Sequence, residues 1–132
     1  MESKEHFRSL VVTGAGGFVG SYFVDRLRVE GKKFVAVVRR PVRNIPHIVA
    51  DLESTEEVKR LRGQLPSPIF LVHLASRFQE THEAAQADIL MVHNLLETLH
   101  DHIRGVVFAS SVNVYQGDEK GCCNQIDGIF SW

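Results

Sequence analysis

Gly14, Gly17 and Gly20 recur at every third position in Thr13-Gly14-Ala15-Gly16-Gly17-Phe18-Val19-Gly20. The apolar run Leu10–Thr13 precedes them and an amphipathic stretch follows, so they sit where a strand turns into a helix. Each glycine has a separate use there. Gly14 permits a tight turn out of the strand, Gly17 lets the backbone approach a diphosphate, and Gly20 lets the helix lie close to the strand. The N–H groups that open such a helix lack intrahelical acceptors and carry partial positive charge, which suits an anionic ligand. The expected phosphate cradle is therefore Gly14, Gly16, Gly17, Phe18, Val19 and Gly20. A plain glycine turn is the bland alternative; it accounts for each glycine separately but not for the three together.

A second feature bears on which nucleotide fits. Sites built for NAD carry an acid about 20 residues beyond the glycine turn, to bond the ribose 2′-OH. That point here reads Val38-Arg39-Arg40-Pro41, with no acid. A carboxylate would repel a 2′-phosphate, whereas an arginine fork can grip one. Arg39 and Arg40 thus favour NADP, with NAD kept as the alternative and a solvated basic turn as the bland reading; Arg43 also lies within reach.

Other chemistries find less support. His6, His47, His73, His82, His93, His100 and His102 are scattered, and no Cys/His pair has zinc spacing, so no metal site is expected. Cys122 and Cys123 are adjacent, a poor geometry for a disulfide. The formal net charge of -1 gives no bulk field toward nucleic acid or an anionic membrane. No apolar run approaches the roughly 20 residues of a membrane span. The opening MESKEHFRSL lacks the apolar core of a secretory signal, so a cytoplasmic setting is expected.

The elements that must position these residues follow from periodicity. Leu10–Thr13, Phe34–Val38, Ile48–Ala50, Ile69–Leu74 and Val106–Ala109 read as strands. Between them, 18–30 reads as a helix with Val19, Tyr22, Phe23 and Leu27 inward and Gly31 as its C-terminal cap. Ser54 and Glu57 form a capping box for a helix through Leu61. A long helix over 83–100 turns Ala85, Val92, Leu95, Leu96 and Leu99 inward. Strands alternating with helices imply an α/β fold with right-handed crossovers. The expectation is a Rossmann-type, doubly wound parallel sheet of about five strands in the order 3-2-1-4-5, in three αβα layers. Residues 1–115 form this domain. Residues 116–132 show neither period and read as an irregular tail.

Four motifs in order give a family resemblance. Thr13–Gly20 resembles the TGxxGxxG loop of extended short-chain dehydrogenases, the NAD-dependent epimerase/dehydratase family. Ala50-Asp51-Leu52 resembles the Asp-Leu that follows the family's third strand. Val72-His73-Leu74-Ala75-Ser76 resembles the His-x-Ala-Ala stretch after its fourth. Phe108-Ala109-Ser110-Ser111-Val112-Asn113-Val114-Tyr115 resembles its Ser-Ser-x-x-Val-Tyr segment. The resemblance implies that Asp51 and Leu52 lie against adenine and that Leu74, Ala75 and Ser76 wall the cofactor. It also implies that Ser111, rather than Ser110, bonds the substrate hydroxyl or carbonyl. Where the family often has asparagine in the long helix, this chain has Asp88, a carboxylate that needs a donor or water.

The resemblance further implies a Tyr-x-x-x-Lys acid/base pair about two dozen residues beyond the serine, since hydride transfer at C–OH needs a matched proton transfer. Tyr22 is followed at that spacing by Arg26, and Tyr115 by Glu119. The chain stops at Trp132 before the pair would arrive, so it reads as a truncated front portion with little or no turnover of its own. The expected function is the dinucleotide-binding part of an epimerase, dehydratase or reductase acting on a nucleotide sugar or related carbonyl. A small-molecule substrate would bind only if the missing C-terminal part were supplied. The alternative is a non-catalytic NADP-binding or subunit-pairing module, with homo-oligomers through an exposed fifth strand.

Overall fold

The computed structural model describes residues 9–109, 115–117 and 123–125. Ser110 and Ser111 lie outside the described residues. β1 (Leu10–Thr13), β2 (Phe34–Val38), β3 (His47–Val49), β4 (Ile69–His73) and β5 (Ile103–Phe108) form one sheet in the order β3-β2-β1-β4-β5. Every neighbouring pair in it is parallel. Three helices accompany it: α1 (Phe18–Val29), α2 (Thr55–Gln64) and α3 (His82–Leu99). β6 (Tyr115–Gly117) and β7 (Cys123–Gln125) pair antiparallel. The region beyond 115 read as irregular because three-residue strands are too short to display a period.

Two cores make three layers. On one face, Val58 and Leu61 of α2 and Met91, Leu95 and Leu99 of α3 pack on Val11, Val37, Ile69 and Leu71. On the other, Val24 of α1 packs with Val12, Ala36, Val38 and Val72. β1 is buried from both sides, which is why LVVT is an unbroken apolar run rather than an alternating one.

Helix ends follow local chemistry. α1 closes in a Schellman arrangement, with Gly31 at φ +66 and the Lys32 N–H donating to the Leu27 carbonyl at 2.8 Å. Ser54 caps α2 by accepting from the Glu57 N–H at 3.3 Å. The capping box is only half formed: the Glu57 carboxylate accepts instead from the Asp51 N–H at 2.6 Å, tying the helix to the turn before it. α2 also runs on to Gln64, past the expected end at Leu61. Its Arg62 grips Asp101 through two hydrogen bonds of 2.5 and 2.7 Å and holds that carboxyl well below its ordinary pKa.

Both long helices bury only part of the inward faces that apolar periodicity predicts. In α1, Phe23 and Leu27 pack against the core as expected, whereas Val19 and Tyr22 are exposed, and the fully buried residues are Gly20 and Val24. Gly20 carries no apolar weight in a pattern, yet it is buried because it makes the closest approach to β1. In α3, Ala85 and Leu96 face solvent, while Ala84, Met91 and Asn94 are inside with Leu95 and Leu99. Asn94 is buried because its amide is satisfied there, which no hydrophobic pattern can foresee.

Candidate dinucleotide site

The strand order reverses at β1, since β2 leaves on one side of it and β4 lies on the other. Open parallel sheets bind ligands at such a switch point, beyond the carboxyl ends of the strands. The glycine turn occupies this place. Gly14 has φ +70, and a Cβ there would stand 2.5 Å from the Ala75 nitrogen, so the position needs glycine for both conformation and space. A Cβ on Gly20 would stand 1.9 Å from the Gly14 carbonyl oxygen. Gly17 is the N-cap of α1 in extended conformation, and no side chain caps the helix. The first turn of α1 holds no acid, so no side chain of the helix itself offsets its positive end.

β1 and β4 are latched beneath the turn by buried polar groups. Thr13, 0% exposed, places Oγ1 at 2.7 Å from Nδ1 of His73, which is 4% exposed. The same oxygen accepts from the Leu74 and Ala75 N–H groups at 3.3 and 3.4 Å. With its lone pairs so used, the Thr13 hydroxyl donates to Nδ1, and His73 is the neutral tautomer protonated at Nε2. Burial lowers the His73 pKa from 6.5 to about 4, with the negative charge of Asp88 a lesser, opposing influence. The ring stacks on Phe108, with centroids 5.6 Å apart.

A cleft of about 320 Å³ opens over these strand ends. Gly14, Gly16 and Gly17 line one side of it, and Arg39 and Arg40 line the end of β2. Asp51 and Leu52 form the wall after β3, and Leu74, Ala75 and Ser76 the wall after β4. Sequence reasoning named all ten. Phe18 and Val19 are instead exposed at the start of α1, and Gly20 is buried under the turn, so these three contribute backbone or space rather than cleft wall.

Sequence reasoning missed Glu53, Arg77, Phe78 and Met91, which also line the cleft. Arg77 pairs with Glu53 across its mouth. Asp88 finds the donors its charge requires: Ser76 Oγ and the Arg77 N–H both donate to it at 2.8 Å. Among the described residues Arg39 and Arg40 form no ion pair, and both are exposed beside the cleft. No group of three His, Cys, Asp or Glu side chains gathers as a metal site among the described residues. No described helix is long and apolar enough to cross a membrane.

Sheet order, switch point and glycine turn together define a Rossmann-type nucleotide-binding fold. The sequence profile of the NAD dependent epimerase/dehydratase family matches residues 10–126, and the chain belongs to that family. A dTDP-4-dehydro-6-deoxy-D-allose reductase from Streptomyces sp is 29% identical over 91% of this chain and 43% of its own length. The solved structure of MoeE5 in complex with UDP-glucose and NAD superposes with a TM-score of 0.67 at 33% identity, covering 84% of this chain and 39% of that one. UDP-glucose 4-epimerase of Thermus thermophilus, in complex with NAD, shares the fold with a TM-score of 0.72 at 21% identity, over 89% of this chain and 44% of that one. The chain thus spans about two fifths of the length of these relatives.

Proposed function

We propose that this chain is the nicotinamide-dinucleotide-binding part of an epimerase, dehydratase or reductase that acts on a nucleotide sugar, and that it prefers NADP. The observation carrying the proposal is the glycine turn: free N–H groups at the uncapped start of α1 open beside a cleft whose glycines exclude side chains where a diphosphate would lie. In this reading Asp51 and Leu52 hold the adenine, and Leu74, Ala75 and Ser76 wall the cofactor further along. Arg39 and Arg40 are free to hold a 2′-phosphate. The bound dinucleotide supplies hydride transfer. Ser111, three residues past the end of β5, is the hydroxyl assigned to the substrate.

Relatives in complex with UDP-glucose and NAD support the substrate class and the cofactor class, while the two arginines carry the choice of NADP. Turnover by these 132 residues alone is expected to be absent or very weak, because neither tyrosine stands four residues before a lysine. Fluorescence titration with NADPH and NADH tests the reading. NADPH should bind more tightly, and serine at both Arg39 and Arg40 should weaken NADPH roughly tenfold or more while leaving NADH nearly unchanged. Failure of either nucleotide to bind at millimolar concentration would refute it.

One observation favours a second reading, in which the chain pairs with another subunit. Val106, Val107 and Phe108 of β5 are 44%, 47% and 55% exposed, and no described strand pairs with the outer edge of β5. Such an edge is a template for a further strand. A concentration-dependent mass in sedimentation, abolished by Val107→Lys, would support pairing; a monomer at all concentrations would exclude it.

A further inference from the structure

Two segments wall the cleft on the α3 side: the turn 51–53 after β3 and the loop 74–78 after β4. Both leave the sheet at strand ends, so strand pairing does not fix their separation. α3 holds each of them. Asn94, 4% exposed, donates Nδ2–H to the Leu52 carbonyl at 2.9 Å and accepts from the Thr55 hydroxyl at 3.4 Å. Earlier in the same helix Asp88 accepts from the Ser76 hydroxyl and the Arg77 N–H, both at 2.8 Å. The Arg77 guanidinium then pairs with the Glu53 carboxylate, so the two walls also touch each other directly. The contacts close into a circuit: α3 to Leu52, along the chain to Glu53, across to Arg77, and back to α3 through Asp88.

Backbone conformation shows that this circuit holds the loop against a preference. Phe78, next after Arg77, has φ +51, a left-handed conformation that costs an aromatic residue about 1–2 kcal/mol. Its N–H donates to the Ser76 hydroxyl at 3.2 Å, the same hydroxyl that Asp88 holds. The hydroxyl that Asp88 holds thus also holds the loop at Phe78. The carboxylate suits the task better than an amide, because both partners are donors and a carboxylate presents two acceptors. Ordinary helix–loop packing would not require a charged tie between two walls of the same cleft.

We propose that Asp88 and Glu53 are positioning residues for the bound nucleotide, fixing through Arg77 the separation of the two walls that enclose it. The inference rests on the nucleotide-binding reading above. The test compares the parent chain with E53Q, D88A, D88N and the double variant E53Q/D88A. NADPH affinity, thermal midpoint and amide hydrogen exchange at Arg77 and Phe78 are measured for each. E53Q and D88A should each weaken NADPH by roughly tenfold, with thermal midpoints close to the parent's because neither side chain belongs to the hydrophobic cores. The double variant should lose less than the product of the two, since both substitutions release the same arginine. D88N keeps one acceptor for the Arg77 N–H and should recover part of the affinity. The Arg77 and Phe78 amides should exchange faster in D88A before any nucleotide is added. A parent that binds NADPH while E53Q and D88A bind within twofold of it overturns this inference alone, as does a double variant whose losses multiply. A parent that binds no nucleotide overturns the functional reading and this inference together.

Discussion

Acid should unlatch β1 from β4, and His73 sets the window. The imidazole is 4% exposed, and its Nδ1 receives the Thr13 hydroxyl, so a proton there would remove an acceptor and place a charge in the core. Its pKa falls from 6.5 to about 4 in the folded chain. Between those values the unfolded chain binds the proton and the folded chain does not. The contribution to stability is therefore complete above pH 6.5 and is lost as pH falls toward 4. A displacement of that size corresponds to about 3 kcal/mol. Urea unfolding followed by circular dichroism from pH 8 to 4 measures it, in the parent and in His73→Asn. Asparagine keeps an acceptor near Nδ1 but does not titrate, and the difference between the two chains cancels every group that titrates in both. That difference should shrink by about 3 kcal/mol across the window. An imidazole NMR midpoint near 4 would agree. A midpoint near 6.5, or the same acid dependence in both chains, would refute the account of the latch.

Other perturbations separate space from chemistry. Gly17→Ala meets only the Gly14 carbonyl oxygen at 3.3 Å, so stability should change by less than about 1 kcal/mol while NADPH affinity drops tenfold or more, read by thermal unfolding and titration. Gly20→Ala would place a methyl 1.9 Å from that oxygen, in backbone with nowhere to move, and should destabilise the fold by about 3 kcal/mol or prevent folding. Gly105→Ala drives a Cβ to 2.4 Å from the Phe70 ring, a side chain that can turn aside, so a loss of about 1–2 kcal/mol is expected, relieved by adding Phe70→Leu. Asn94→Ala leaves the buried Leu52 carbonyl without its donor and should cost about 1–3 kcal/mol in chemical unfolding.

Much of this fold was legible because its signals are local. LVVT is an unbroken apolar run, and it is a strand buried on both faces. Three glycines at a fixed interval each answer a separate constraint, so their joint occurrence carries more than composition does. What escaped was polar and non-local. Asn94 looks like a surface residue until its partner, 42 positions away, is known. Arg77 read as nothing, because its meaning lies in Glu53, 24 positions earlier. The face of α1 was read only in part for the reverse reason: Phe23 and Leu27 pack inward, but Gly20, the residue that packs closest, is the one a hydrophobic count weighs least. The family resemblance supplied the walls at Asp51–Leu52 and Leu74–Ser76, which periodicity alone did not single out.

The parallel sheet explains why residues so far apart converge. β1 to β5 all run in the same direction, so the segments that follow them emerge at one edge. Gly14 follows β1, Arg39 follows β2, Asp51 follows β3 and Ala75 follows β4, and each lines the cleft at that edge. The weak point of the arrangement is lateral. β1 is covered on both sides, whereas residues 106–108 of β5 are exposed, and β4, which the Thr13–His73 latch ties to β1, lies between the two. Phe108, 55% exposed on β5, stacks on His73 of that latch, so the solvent-facing edge strand touches the buried pair beneath the glycine turn.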